Sequence, residues 1–195
     1  MTSTAANSSI DIASRALVLI GSEPITSFDT ASTEALVASN MYEDTVRATL
    51  SSARWRFATE QAVLNQLTDV PTGRFDIAHQ LPSDLLVLHG VTTNDRLIEY
   101  TVYGDKVFSD STTNDVLIAD YTYRADEIDF PSYFALAVQY SLASVFATAI
   151  ARDDKLMEMM ELKAERLMSK ARNLDGQQQT TRVLTTTRFR TNRQS

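Results

Sequence analysis

From Phe130 to Ala151 the chain runs for 22 residues without an Asp, Glu, Lys or Arg. A run of that length is either a membrane span or a helix that the rest of the chain must cover. It holds Ser132, Gln139, Ser141, Ser144 and Thr148 together with six alanines. Polar groups of that number are poorly tolerated in lipid, and the hydropathy is modest. We therefore read it as a small-residue-rich helix, buried on most sides, with close helical neighbours. Asp129 is placed to cap it, and Pro131 sits near its first position, where a missing N–H costs nothing.

Such a helix needs partners, and the chain supplies them. Only 5 glycines and 4 prolines punctuate 195 residues, well under the average usage of roughly 12%, so long regular elements are expected. Residues 8–20 predict a helix with Ile10, Ala13, Ala16, Leu17 and Ile20 at helical spacing. Ser8 and Asp11 form a capping-box pattern, Gly21 is a C′ residue and Pro24 stops continuation. Residues 31–54 predict a longer helix, capped by Asp29 or Thr30, with Ala35, Tyr42, Val46, Leu50 and Ala53 on one face. It runs into Arg54-Trp-Arg-Phe57, which puts the single Trp at an element end, where its N–H can find an acceptor. Past the uncharged run, Asp153 and Asp154 open a further helix. Leu156, Met160, Leu167 and Ala171 stripe it, and Met157, Met159, Leu162 and Met168 widen the stripe. Acids in its first turn and Lys170 and Arg172 in its last suit the dipole, and Gly176 closes it. Packing is the expected role of the methionines.

Between residues 58 and 128 the helical period fades and β-branched and aromatic residues take over. Leu85–Val91 and Val116–Arg124 read as strands. Leu97–Tyr103 and Lys106–Ser109 flank Gly104-Asp105, a hairpin signal because a two-residue turn needs positive φ. Tyr100, Val102, Val107, Tyr121 and Tyr123 are expected to pack a small antiparallel sheet. The fold class is then α+β, mainly α: about four helices, an inserted β module and an extended C-terminal arm. The expected division is 1–57 and 129–176 for the helical bundle, 58–128 for the β module and 177–195 for the arm.

The arm breaks the charge pattern. Residues 177–195 contain Arg182, Arg188, Arg190 and Arg193 and no acid. Removing that +4 from the net −7 leaves −11 on residues 1–176. An acidic body is unsuited to coating nucleic acid, which needs clustered cations to displace counterions. Val183, Leu184 and Phe189 give the arm apolar anchors, so it reads as a segment that docks by strand addition or in a groove. The polar start, Met1 to Ser9, lacks the basic-then-apolar order of a signal peptide. With no cysteine, disulfides and thiolate chemistry are excluded, which suits a reducing compartment.

Catalytic templates are missing. There is no P-loop and no Gly-x-Ser-x-Gly. His79 and His89 lie ten apart without a second ligand pair and read as surface or sheet-edge residues. Asp126, Glu127 and Asp129 could hold Mg²⁺ in a hydrolase, but a solvated loop and helix cap is the simpler reading. Asp105, Asp110, Asp115 and Asp120 recur every five residues, on no single face, and read as turn and solvent-facing positions. No catalytic residue, metal or cofactor is assigned.

The order of motifs resembles the head-to-tail adaptors of tailed bacteriophages, in particular the tail tubular protein A family. Ala16-Leu-Val-Leu-Ile-Gly-Ser-Glu-Pro-Ile-Thr-Ser-Phe28 is similar to that family's opening helix and turn. Leu50-Ser-Ser-Ala-Arg-Trp-Arg-Phe57 resembles its Gly-Trp-x-Phe signature, with Arg54 where glycine is usual. Leu81-Pro-Ser-Asp-Leu85, the Gly104 hairpin from Tyr100 to Phe108, Tyr121-x-Tyr-Arg124 and Phe130-Pro131 follow in the family's order. The resemblance implies a virion structural protein and no enzyme. It implies a ring, commonly of twelve copies, that docks under the portal, extends the DNA channel without sequence-specific binding and offers a platform to a tail nozzle or tail-tube protein. Its place would be the virion neck, after synthesis in the host cytoplasm, with no membrane. The arm residues Arg182, Val183, Leu184, Arg188, Phe189, Arg190 and Arg193 would meet the portal. Another neck or tail-completion ring protein, a connector or terminator, is the alternative, ahead of the metal-dependent hydrolase.

Overall fold

The structure is a computed structural model, and it describes residues 8–68, 73–111 and 115–178. Helix α1 spans Ser9–Leu19, α2 Thr33–Ser51, α3 Ser132–Phe146 and α4 Asp154–Gly176. Between α2 and α3 lie eight short strands: β1 Thr59–Val63, β2 Asn65–Gln66, β3 Ile77–Gln80, β4 Leu85–Thr93, β5 Arg96–Leu97, β6 Thr101–Tyr103, β7 Lys106–Ser109 and β8 Ile118–Tyr123. The α+β class with a predominance of helix is as the sequence predicts.

Helix α3 is the centre. It packs against α1, α2 and α4, burying Phe134, Val138, Leu142 and Phe146 completely. By length and composition Ser132–Ala151 could cross a membrane, but 50% of that stretch is buried inside the fold. The alanines and serines let neighbours approach, so its lack of charge is explained by protein contact. At its end the helix widens into a π turn over Ala147–Ala151, and Arg152 takes a left-handed conformation, φ 52°. That reversal sends α4 back along α3, and Asp153 caps it by accepting from the Lys155 and Leu156 N–H groups at 3.0 and 3.1 Å.

Several helix ends follow the sequence. The Ser8–Asp11 capping box is present in both directions. After α1, Gly21 has φ +79°, and the Gly21 and Ser22 N–H groups bond back to Val18 and Leu17, a Schellman end in which only a residue without Cβ sits without strain. Others differ. The cap of α2 is Ser32, whose Oγ accepts from Ala35, in place of Asp29 or Thr30. Pro131 is itself the N-cap of α3, and Asp129 belongs to a short 3₁₀ turn, Glu127–Asp129. Gly176 is the last helical residue of α4 and Gln177 its cap, so Lys170 and Arg172 fall short of the last turn. Met159 and Leu162 point to solvent, leaving Met160, Ala164 and Ala171 as the buried line of α4.

The strands form two four-stranded antiparallel sheets, where one was expected. Their orders are β1-β8-β4-β5 and β2-β3-β7-β6. One extended run makes both: it leaves β1 at Val63, buries Leu64 with its N–H on Leu117 O at 2.8 Å, and enters β2. Leu64, Leu81, Val91, Val107, Leu117, Ala119 and Tyr121 fill the space between the sheets. The Gly104-Asp105 turn joins β6 to β7 as read from the sequence, with Gly104 at φ +61°. A second two-residue turn, Asn94-Asp95, joins β4 to β5 with both φ values positive, 48° and 61°, the geometry of a type I′ hairpin. Val102, expected to pack, is exposed. His79, read as a surface or edge residue, is buried on the inner strand β3, and its Nδ1 finds no partner among the described residues.

Candidate functional site

Four motifs far apart in the sequence meet where the helices join the sheets. Trp55 follows α2, is completely buried, and donates from Nε1 to Thr49 O at 3.1 Å. Its ring meets Phe134 of α3 edge-on at 5.0 Å. Phe57 packs on Phe134 at 4.8 Å, and Phe130 packs on Phe134 at 4.9 Å. Such tilted aromatic pairs add about 0.5–1.5 kcal/mol each beyond their buried area. The Arg54–Phe57 segment and the Phe130-Pro131 segment are thus one packing unit.

Asp175, in the last turn of α4, is 3% exposed. Its Oδ2 accepts from the Arg56 N–H at 2.9 Å and its Oδ1 from the Tyr133 hydroxyl at 2.8 Å. A carboxylate at a helix C-terminus opposes the dipole of its own helix. Here it faces the first N–H of the 3₁₀ turn Arg56–Ala58, a favourable place for negative charge. Burial, and then the bond to Asp175, push the Tyr133 hydroxyl up to about 12. Gln178 Nε2 reaches the same hydroxyl at 3.4 Å, so the chain leaves α4 from a pinned position.

Arg124, at the end of β8, is the second clamp. Its guanidinium holds Glu43 of α2 through Nε at 3.1 and 3.2 Å and through Nη2 at 2.9 Å. Nη2 also holds Glu127 at 2.6 Å, and the Tyr42 hydroxyl donates to Glu127 at 3.1 Å. The Phe130 ring lies 5.8 Å away. Hydrogen bonding to Arg124 holds the Glu43 carboxyl below its ordinary range. Burial works to lower Arg124, but its bonds to the two carboxylates carry it above its usual value. Tyr42 is raised by burial and by Glu127.

A third contact ties Arg54 to Asp120 of β8. Asp120 is therefore an ion-paired strand residue, where the sequence suggested a solvent-facing one. The strand β4 carries two bulges against β8, at Leu86 and at His89. The first turns Leu86 into the helical core. The second brings His89 Nε2 to 2.7 Å from Thr122 Oγ1.

Of the acidic trio, Glu127 is engaged by Arg124 and Tyr42. Asp126 and Asp129 flank it in the 3₁₀ turn without forming a ligand set. Among the described residues no group of three or more His, Asp and Glu is arranged to hold a metal ion. The predicted arm residues, Arg182, Val183, Leu184, Arg188, Phe189, Arg190 and Arg193, lie outside the described residues.

The family described as tail tubular protein matches residues 11–179. The chain belongs to the tail tubular protein family. No curated protein matches it. As a tail tubular protein it is a structural component of the bacteriophage virion, from a family that builds tails. The matched span contains every contact of this site, from Tyr42 to Gln178. It ends before the basic part of the arm, so the tail tubular match covers the clamped body and says nothing of Arg182 to Arg193.

Two of these contacts were missed in the sequence. The acid at position 175 was visible as a charge against its helix dipole and could have been flagged. The pairing of Arg124 with Glu43, 81 residues away, left no local signal.

Proposed function

We propose that this tail tubular protein forms the head-to-tail adaptor ring of its particle, commonly twelve copies. The ring docks beneath the portal in the virion neck, extends the DNA channel and presents a platform to a tail nozzle or tail-tube protein. The helices 1–57 and 129–176 build the wall, the β module 58–128 faces the tail side or the neighbouring copy, and 177–195 reaches the portal. The chain is made in the host cytoplasm.

The observation that carries this reading is the charge division joined to a fixed point of departure. Residues 1–176 carry −11 and the acid-free arm +4, and the arm starts where Asp175, Tyr133 and Gln178 hold the end of α4. A ring of acidic bodies repels phosphate, so DNA passes without sticking. An arm of arginines and apolar side chains suits a partner with acidic and apolar surface, with the ordering cost met by the contacts formed.

Electron microscopy of the chain mixed with its portal tests this. A ring seated beneath the portal is expected. A chain that stays monomeric with portal, and is absent from the neck of virions, would sink the proposal.

A further inference from the structure

A groove of about 770 Å³ runs between α2 and α4 across the outer face of α3. Its floor is small: Ala48 of α2, Ser141 and Ser144 of α3, and Ala164 of α4. Most of the hydroxyls that line it are already used within their own helices. Ser141 donates to Ala137 O at 3.0 Å, Ser144 to Ser141 O at 2.8 Å, Thr45 to Met41 O at 2.8 Å and Ser52 to Thr49 O at 2.7 Å. A floor with satisfied hydroxyls asks for an apolar occupant. Its rim asks for a basic one, because Asp44, Glu161 and Glu165 border it against the single cation Arg172.

The chain carries one segment of that chemistry. Residues 179–195 hold Val183, Leu184 and Phe189 between Arg182, Arg188, Arg190 and Arg193, with no acid. The segment also begins in reach. At about 3.3 Å per extended residue, the six residues from Gln178 to Leu184 cover about 20 Å. At about 1.5 Å per helical residue, the same length leads from Gln178 back along α4 to Glu165. Val183 to Phe189, about 20 Å when extended, is then long enough to run the groove from Arg172 to Glu161, about 17 Å of helix.

We propose that in the free chain this groove receives the chain's own arm, with Val183, Leu184 and Phe189 on the small-residue floor and the arginines on Asp44, Glu161 and Glu165. The arm is then held on the body until a partner with a better surface displaces it.

The full chain tests this without its portal. It has no cysteine, so an introduced pair reports alone. Ser144→Cys with Leu184→Cys should close an intramolecular disulfide under mild oxidation about tenfold faster than the control pair Ser39→Cys with Leu184→Cys, the expected gain from a raised effective concentration. Adding Glu161→Lys and Glu165→Lys, both at exposed positions, should slow it several-fold. Equal rates for the two pairs would overturn the proposal, and so would indifference to the charge reversal. Disulfides forming only between copies, when single-cysteine chains are mixed, would also overturn it and assign the groove to a neighbour's arm. If the cysteine chain does not fold, trypsin decides: cleavage at Arg182 and Arg188 should be slower in the native chain than in the Glu161→Lys, Glu165→Lys chain, and equal cleavage refutes the docking. Because no portal is present, failure here leaves the adaptor reading intact, and failure to bind portal leaves this one intact.

Discussion

The Asp175 carboxylate accepts the backbone N–H of Arg56 at 2.9 Å, joining residues 119 apart in the chain. The bond fastens the last turn of α4 to the segment that leaves α2. Replacing Asp175 by Ala strips the part-buried Arg56 N–H and Tyr133 hydroxyl of their acceptor together. The expected loss is about 3 kcal/mol, the upper scale for hydrogen bonds to a charged group. Urea unfolding should show a lower midpoint at unchanged slope. A loss below about 0.5 kcal/mol, ordinary for a surface substitution, would mean that the clamp is not formed.

Tyr133 offers a separate readout. Its hydroxyl is held up at about 12, first by burial and then by Asp175. In Asp175→Asn the repulsion between tyrosinate and carboxylate is gone, so Tyr133 should titrate at lower pH than in the native chain. NMR of the tyrosine ring carbons against pH would show it, and an unmoved titration would contradict the contact.

Trp55 is completely buried between Thr49 and Phe134. Trp55→Ala should cost about 3–5 kcal/mol. As the only Trp, it also reports on the junction by fluorescence. Its emission in the native chain should be blue-shifted and shielded from acrylamide, and a solvent-like spectrum would place the ring at an open surface.

His79 is buried on β3, and burial depresses its pKa below the usual 6.5. The unfolded chain therefore takes up the proton first. Stability contributed by the neutral ring is complete above pH 6.5 and is lost as pH falls through the lower folded pKa. His79→Gln should flatten the stability profile in that window. A mutant whose slope below pH 6.5 matches the native chain would reject the assignment.

The arm prediction is sharpened by where the pinned residues end. Gln178 still touches Tyr133, so removing 180–195 should leave the body folded, with Trp55 as shielded as in the native chain. The same truncation should abolish stable attachment to the portal. Native affinity in the truncated chain would refute a docking role for the arm.

What could be read from the sequence, and what could not, divides by distance along the chain. The Ser8–Asp11 box, the Gly21 end and the Gly104 turn are local chemistry, and each was legible because the residues that decide it sit within a few positions. The uncharged run also read correctly, since a helix with no charge has to be covered by something. The split into two sheets was hidden. It turns on Leu64 changing partners within a single extended run, and nothing nearby marks that residue. Asp29 and Thr30 have the chemistry of caps, and Ser32 takes the place because the helix starts two residues later than expected. Asp120 was misread because its meaning lies in Arg54, 66 residues earlier. Of the candidate site, the Trp55 and Phe130 motifs were visible as motifs, but their meeting on Phe134 was not.

The strand β8 lies between β1 and β4, antiparallel to both. At its end Arg124 grips α2, while its neighbour Tyr123 donates to Phe57 O at 3.2 Å. Tension applied along this strand would meet two ladders in shear, with their hydrogen bonds stretched together. Pulled across its length, the same strand would peel one bond at a time. The module is mechanically anisotropic, stiff along the axis of β8 and weak at right angles to it.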